Sequence, residues 1–272
     1  MKPRPFDYIQ SDTAEEAVAL LAEYGEDARV LAGGQSLVPM LNLRLIEAKA
    51  LIDISRIATL DAILELDGKI EIGAAVTQNK LMAWPRLAEK LPLVAAALPF
   101  VGHYQTRNRG TVCGSIAHAD PSSELPLALA VLGGEIVLRS RRGERVLEAG
   151  DFQKDMLTTA RAPDELIIAA RFPAAATRGV CFREVARRHG DFAIIAVAAV
   201  ADDSRAVQLG VGGMAGRPMV RRIATDGAAD AVAAWAEELE GYEDLHASAA
   251  MRRDLFRNLA PLAIAEALRC AA

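Results

Sequence analysis

Cysteine and histidine are scarce in this chain. Three thiols, Cys113, Cys181 and Cys270, are scattered through 272 residues; they make no C-x-x-C pair and no disulfide framework. An iron–sulfur cluster takes about four thiolates, so none is expected on this chain by itself. The four histidines, 103, 118, 189 and 246, show no i, i+4 pair on an evident helix, which argues against a protein-held metal. Any redox chemistry is therefore left to an organic cofactor. Long apolar runs are missing too: none approaches the roughly 20 residues of a spanning helix. The opening Met1-Lys2-Pro3-Arg4-Pro5 has no apolar signal region, so a cytoplasmic location is expected. Nor is there an excess of positive charge. Lys+Arg number 31 against 36 Asp+Glu, a net charge of −5, which disfavours nucleic acid or an anionic membrane as partner. What is present, 52% hydrophobic and 25% charged residues, is the composition of a soluble globular protein. The length suits one large domain or two to three small ones.

The order of patterns predicts an α+β protein of three small units. Thr13-Ala14-Glu15-Glu16 has the form of a capping box, and Ala17, Leu20, Leu21 and Tyr24 recur at helical spacing before Gly25. Residues 29–32 and 50–54 read as strands. Alternating apolar residues flank Asp67-Gly68, the signature of a type I′ hairpin. Thr77 is read as capping a helix that ends near Pro85, and residues 91–98 as another short helix. A second hairpin turns at Arg142-Gly143, and residues 165–172 form a closing strand. Three further strands are expected at 179–183, 193–201 and 206–212. Helices follow within 228–239 and from about 247 to 268, the latter bent at Pro261.

Two glycine-rich stretches interrupt this pattern. The first, Ala32-Gly33-Gly34-Gln35-Ser36, follows a strand and precedes an apolar segment with Pro39 near its start. Glycines there let the backbone reach unusual φ/ψ and let a ligand approach the main chain; successive N–H groups then form an anion nest. The second, Thr111-Val112-Cys113-Gly114-Ser115, stands before Ala117-His118-Ala119-Asp120-Pro121. Two such loops are suited to clamp the two phosphates of one pyrophosphate, whereas each alone is also an ordinary strand-ending turn.

Other motifs weigh less. Gly210-Val211-Gly212-Gly213-Met214-Ala215 matches G-x-G-x-x-A, but Arg217-Pro218 interrupts the helix that a dinucleotide fold needs next. A glycine-rich strand end is the better reading. Ser36 and Ser115 have no nearby His-Asp pattern for hydrolysis. His118, Asp120 and Glu124 form at most a weak acid–base cluster, and His118 is read as ordering the second loop.

The two loops, with residues 117–121 behind them, resemble the FAD-binding medium subunit of the molybdenum hydroxylases, the carbon monoxide dehydrogenase and xanthine dehydrogenase family. The likeness runs from Arg4-Pro5-Phe6-Asp7-Tyr8 to the C-terminal helix. It implies a two-part, p-cresol methylhydroxylase-like FAD-binding domain (1–56 and 57–176) and a C-terminal α+β domain (177–272) with a three-stranded antiparallel sheet. It also implies non-covalent FAD held by Ala32, Gly33, Gly34, Gln35 and Ser36 of the first loop and Thr111, Val112, Cys113, Gly114 and Ser115 of the second. Arg29 takes a cationic position near the phosphates, and Glu124 that of an acidic residue bonded to the cofactor. Val101, Leu166 and Ile167 match apolar positions against the flavin ring. Arg183 and Phe192 belong to a segment reaching it from the C-terminal unit. No side chain is assigned a catalytic role.

Three departures matter. Gln35 stands where many relatives have His, and Cys113 where Gly is common, so its side chain must turn from the phosphate or the loop must shift. Phe192 replaces a frequent Tyr, keeping the ring but losing the phenol. The implied partners are a small subunit with [2Fe–2S] clusters and a large one with the molybdenum cofactor, in a dimer of heterotrimers. Electrons then reach FAD on this chain and leave to NAD, a quinone or oxygen. The competing readings are a standalone FAD-dependent oxidoreductase and a structural subunit whose FAD site has decayed.

Overall fold

The computed structural model describes residues 2–174, 179–201 and 205–271. The chain forms three main sheets in sequence. The first unit runs β1 (Asp7–Gln10), α1 (Ala14–Tyr24), β2 (Ala28–Leu31), α2 (Leu37–Asn42) and β3 (Ala50–Asp53). Its strands are parallel in the order β1-β3-β2, and every residue of the central β3 is buried. Local chemistry sets the ends of α1. Thr13 Oγ1 accepts from the Glu16 N–H at 3.1 Å, and the Glu16 carboxylate accepts from the Asp12 N–H at 2.8 Å. Gly25 closes the helix at a positive φ of 55°.

The second unit opens with the hairpin β4 (Ile63–Leu66) and β5 (Lys69–Gly73). Asp67 and Gly68 take φ of 49° and 76°, as a type I′ turn requires. Six helices follow: α3 (Gln78–Met82), α4 (Leu87–Lys90), α5 (Pro92–Ala97), α6 (Tyr104–Arg109), α7 (Val112–His118) and α8 (Glu124–Val131). Then come β6 (Glu135–Ser140), β7 (Gly143–Glu148), α9 (Ala149–Phe152), the short ribbon β8 (Gln153–Asp155) with β9 (Thr158–Thr159), and β10 (Leu166–Pro173). The antiparallel order β4-β5-β10-β6-β7 makes β10 the middle strand.

The second glycine stretch is thus a helix start rather than a loop. Thr111 caps α7, its Oγ1 accepting from the Gly114 N–H at 2.9 Å. Val112, Cys113 and Ile116 turn a helical face into the core.

The third unit contains β11 (Val180–Val185), β12 (Ile195–Ala201), β13 (Ala206–Gly212), β14 (Met219–Ala224), α10 (Ala228–Glu238) and α11 (Ala249–Ala271). Its antiparallel sheet has four strands, not the three expected. The missed strand, β14, is an edge whose paired arginines hide the apolar alternation. Arg221 lies over the Trp235 ring at 5.0 Å and pairs with Glu238 at 2.5 Å, so this edge buries side-chain stems under charged heads. The boundary expected at 176/177 lies outside the described residues.

The inner strand β12 joins two cores. Ala196, Ala198 and Val200 pack into the core shared with the second unit, while Ile195, Val197 and Ala199 pack with Trp235 and Phe256 under α10 and α11. That two-sided burial explains its unbroken apolar run. Gly210 and Gly212 lie within β13, and a Cβ on Gly210 would stand 2.1 Å from Val131 of α8. The G-x-G pattern therefore serves close packing of α8 on the sheet, as a glycine-rich strand end. The helix α11 runs through Pro261 and buries Arg252. The Arg252 guanidinium donates to the Ile194 and Gly213 carbonyls and meets Asp244 at 2.5 Å.

Candidate cofactor site

The three units meet around a cavity of about 690 Å3, within the usual size of small-molecule sites. Two glycines make the joints. A Cβ on Gly33 would stand 2.2 Å from the Arg109 carbonyl oxygen and 2.7 Å from Gly110 Cα. The first turn therefore rests directly on the backbone that leads into α7. On the other side Gly190, at a φ of +83°, lies against His103 and the Gly102 carbonyl, each within 3 Å of where its Cβ would stand. Gly33 was expected to admit a ligand to the main chain; what it admits first is the second turn. Gly34 differs from its neighbour, needing glycine for a φ of +72°.

Most of the remaining expected residues lie on the same cavity. Arg29, Ala32, Gln35, Ser36, Val101, Thr111, Cys113, Gly114, Ser115, Glu124, Leu166, Ile167 and Phe192 all line the cavity with Gly33 and Gly34. Two residues lie elsewhere. Val112 is fully buried on the core face of α7. Arg183, on β11, pairs with Glu266 at 2.5 Å; the third unit reaches the cavity through Gly190, Asp191 and Phe192 instead. Gln35 Nε2 donates to the Gly33 carbonyl at 3.0 Å, bracing its own turn. The Cys113 thiol turns into the core and donates to the Ile72 carbonyl at 3.4 Å; burial pushes its pKa up to about 12. Phe192 is 64% exposed at the cavity mouth.

The electrostatics divide the cavity. Arg161 lines it with Arg29. Burial, and then the neighbouring Arg29, lower the Arg161 pKa. Arg161 is anchored by donating to the Glu165 carbonyl at 2.7 Å. Glu124, the first residue of α8, is buried, and that burial pushes its pKa up to about 7, with Asp120 adding to the rise. Glu184 is pushed up to about 8, chiefly by burial and then by Glu124. The His118 pKa is lowered by burial, with Asp120 opposing. The site thus offers a cationic end, a carboxyl poised near neutrality, and an apolar wall of Val101, Leu166 and Ile167. Sequence reasoning missed Arg161 and Gln78. Neither sits in a glycine motif, and only the fold of residues far apart in sequence brings them to the cavity.

Residues 4–175 match the family described as the FAD-binding domain in molybdopterin dehydrogenase. The chain belongs to that family. It is 34% identical over 283 residues to the nicotine 6-hydroxylase medium subunit of Paenarthrobacter nicotinovorans, covering 98% of this chain and 99% of that one. It is 37% identical to the carbon monoxide dehydrogenase medium chain of Afipia carboxidovorans over 74% of this chain and 70% of that one. Among solved structures, carbon monoxide dehydrogenase from Hydrogenophaga pseudoflava superposes with a TM-score of 0.93 at 31% identity, all of both chains being covered. Quinoline 2-oxidoreductase from Pseudomonas putida 86 gives 0.93 at 32% identity, covering 100% of this chain and 99% of that one. FAD is accordingly the cofactor of this family member, an oxidoreductase subunit of the medium type. The residues present fit it: glycine-built turns and two arginines suit a pyrophosphate, and the apolar wall suits a flat ring. Among the described residues no helix is long and apolar enough to cross a membrane, and no group of three His, Cys, Asp or Glu is placed to hold a metal ion.

Proposed function

We propose that the chain is the FAD-carrying electron-transfer subunit of a molybdenum hydroxylase complex. It takes electrons from [2Fe–2S] centres on a small partner and passes them to NAD, a quinone or oxygen. A large molybdenum-bearing subunit completes a heterotrimer, which pairs into a dimer of heterotrimers. The observation that carries this reading is the single cavity wall built from both glycine turns, with an apolar wall beside them and an open mouth at Phe192. FAD supplies the electron chemistry when bound, and the protein sets its orientation and access. Within that division, residues 33–36, Thr111 and residues 113–115 present backbone and hydroxyl groups to the pyrophosphate, with Arg29 and Arg161 balancing its charge. Glu124 holds a proton at its carboxyl near neutrality and hydrogen-bonds the cofactor. Val101, Leu166 and Ile167 keep water from the ring.

We place the division between the two FAD-binding subdomains and the C-terminal domain at 56/57 and 176/177. Phe192 and the neighbouring Arg187, both solvent-accessible, are proposed to meet the small subunit, since aromatic and Arg residues are enriched at interface centres. Acid precipitation should release one FAD per chain; colour left in the pellet contradicts non-covalent binding. Flavin reduction by the hydroxylase substrate should require both partners. Turnover of an organic substrate by the chain free of iron and molybdenum would establish a standalone flavoenzyme instead.

A further inference from the structure

Gln78 is the first residue of α3 and its placement is fixed by backbone. Its N–H donates to the Gly110 carbonyl at 2.8 Å, and the Val112 N–H donates to the Val76 carbonyl at 3.1 Å. The flanking Thr77 and Thr111 form an isolated antiparallel bridge. The segment carrying Gln78 is thus laced to the entry of α7, where Gly33 also rests. Its side chain lines the cavity and the residue is only 5% exposed, yet its Oε1 is buried without a hydrogen-bond partner. That oxygen lies 3.2 Å from where a Gly110 Cβ would stand, at the junction of the two glycine turns. Native proteins satisfy nearly all buried polar atoms. A carboxamide with an idle oxygen, carried on a cavity wall whose backbone is fixed, is therefore suited to an occupant.

We propose that Gln78 is a direct ligand of the bound dinucleotide, its carboxamide hydrogen-bonding the phosphate–sugar segment where the two turns meet. The inference rests on the FAD reading above and deepens it. Rotating the amide by 180° exchanges its oxygen and nitrogen at little change in shape. The group therefore accepts from a sugar hydroxyl in one orientation and donates to a phosphate oxygen in the other. Both partners belong to the same stretch of the ligand, whereas the isoalloxazine ring suits the apolar wall of Val101, Leu166 and Ile167.

The test uses the full chain freed of flavin, titrated with FAD by fluorescence quenching, with ADP as a competitor carrying the phosphate–sugar half alone. Gln78→Leu should weaken FAD about tenfold, the scale of a lost hydrogen bond to a polar or charged group, and weaken ADP by a similar factor. The flavin-free melting temperature should hold or rise, because the replacement removes an unpartnered polar group. Gln78→Met, closer in shape, serves if the leucine variant does not fold. FAD affinity within twofold of wild type in the folded variants would overturn the proposal and leave Gln78 satisfied by water. Weakened FAD with unchanged ADP overturns the phosphate–sugar assignment. Failure of the wild-type chain to bind FAD sinks the functional reading itself, a separate outcome.

Discussion

The two glycine turns that meet at the cavity look alike in composition but are held in opposite ways. The first, residues 33–36, depends on side chains that are absent: Gly33 for contact with the Arg109–Gly110 backbone, Gly34 for a left-handed φ. The second depends chiefly on side chains that are present, since Thr111 caps α7 and Cys113 anchors it to Ile72; its one close approach by glycine is to that cap, a Cβ on Gly114 standing 2.7 Å from Thr111 Oγ1. A turn built on missing atoms fails abruptly when atoms are added. One built on a cap and buried anchors loses its interactions piece by piece.

The sharpest way to break that comparison is Gly33→Val. The added branches meet immovable backbone, so the variant should lose about 3 kcal/mol of stability, read from urea unfolding, and most of its FAD. Gly34→Ala, which meets only flexible side-chain ends, should lose about 1 kcal/mol. Equal losses in the two would remove the distinction between contact and conformation.

Glu124 comes next. Its folded pKa lies above its unfolded one, so its contribution to stability is complete below about pH 4.5 and is lost as pH rises through about 7. Glu124→Gln should make the flavin-free chain more stable than wild type at pH 8, by up to about 3 kcal/mol. That advantage should vanish near pH 4.5. A stability difference independent of pH would contradict the buried carboxyl. Thr111→Val should cost about 1 kcal/mol, the usual value of an N-cap, with FAD weakened but retained.

The smallest effect concerns thiols. Native alkylation at pH 8 should mark the exposed Cys270 and leave the buried Cys113 untouched; labelling of Cys113 would mean that α7 opens readily.

What the sequence shows by itself follows the range of each interaction. The Thr13 cap, the Asp67-Gly68 hairpin and the apolar run of β12 are local patterns, and each was legible. β14 was not, because an edge strand with Arg221 and Arg222 in its middle satisfies no simple alternation. The start of α7 was hidden by its glycine and small polar residues, although Thr111 is an ordinary N-cap. At the site, glycine spacing pointed to the cavity but not to the reason for Gly33, which lies 76 residues away at Arg109. Arg183 misled for the same cause. It shares a segment with Phe192, yet strand direction carries it to Glu266.

Arg252 bears on where the protein can be cut. The family match ends at residue 175, which invites expression of that part alone as a minimal flavin carrier. Yet the mouth of the cavity is finished by residues 190–192, seated on Gly102 through Gly190 and followed at once by the Ile194 carbonyl that Arg252 grips from the last helix. A fragment ending at 175 keeps both glycine turns and loses this wall; one ending before residue 252 keeps the wall and loses its tether. The shortest piece able to retain its cofactor as the whole chain does therefore extends into α11, far beyond the region that names the family.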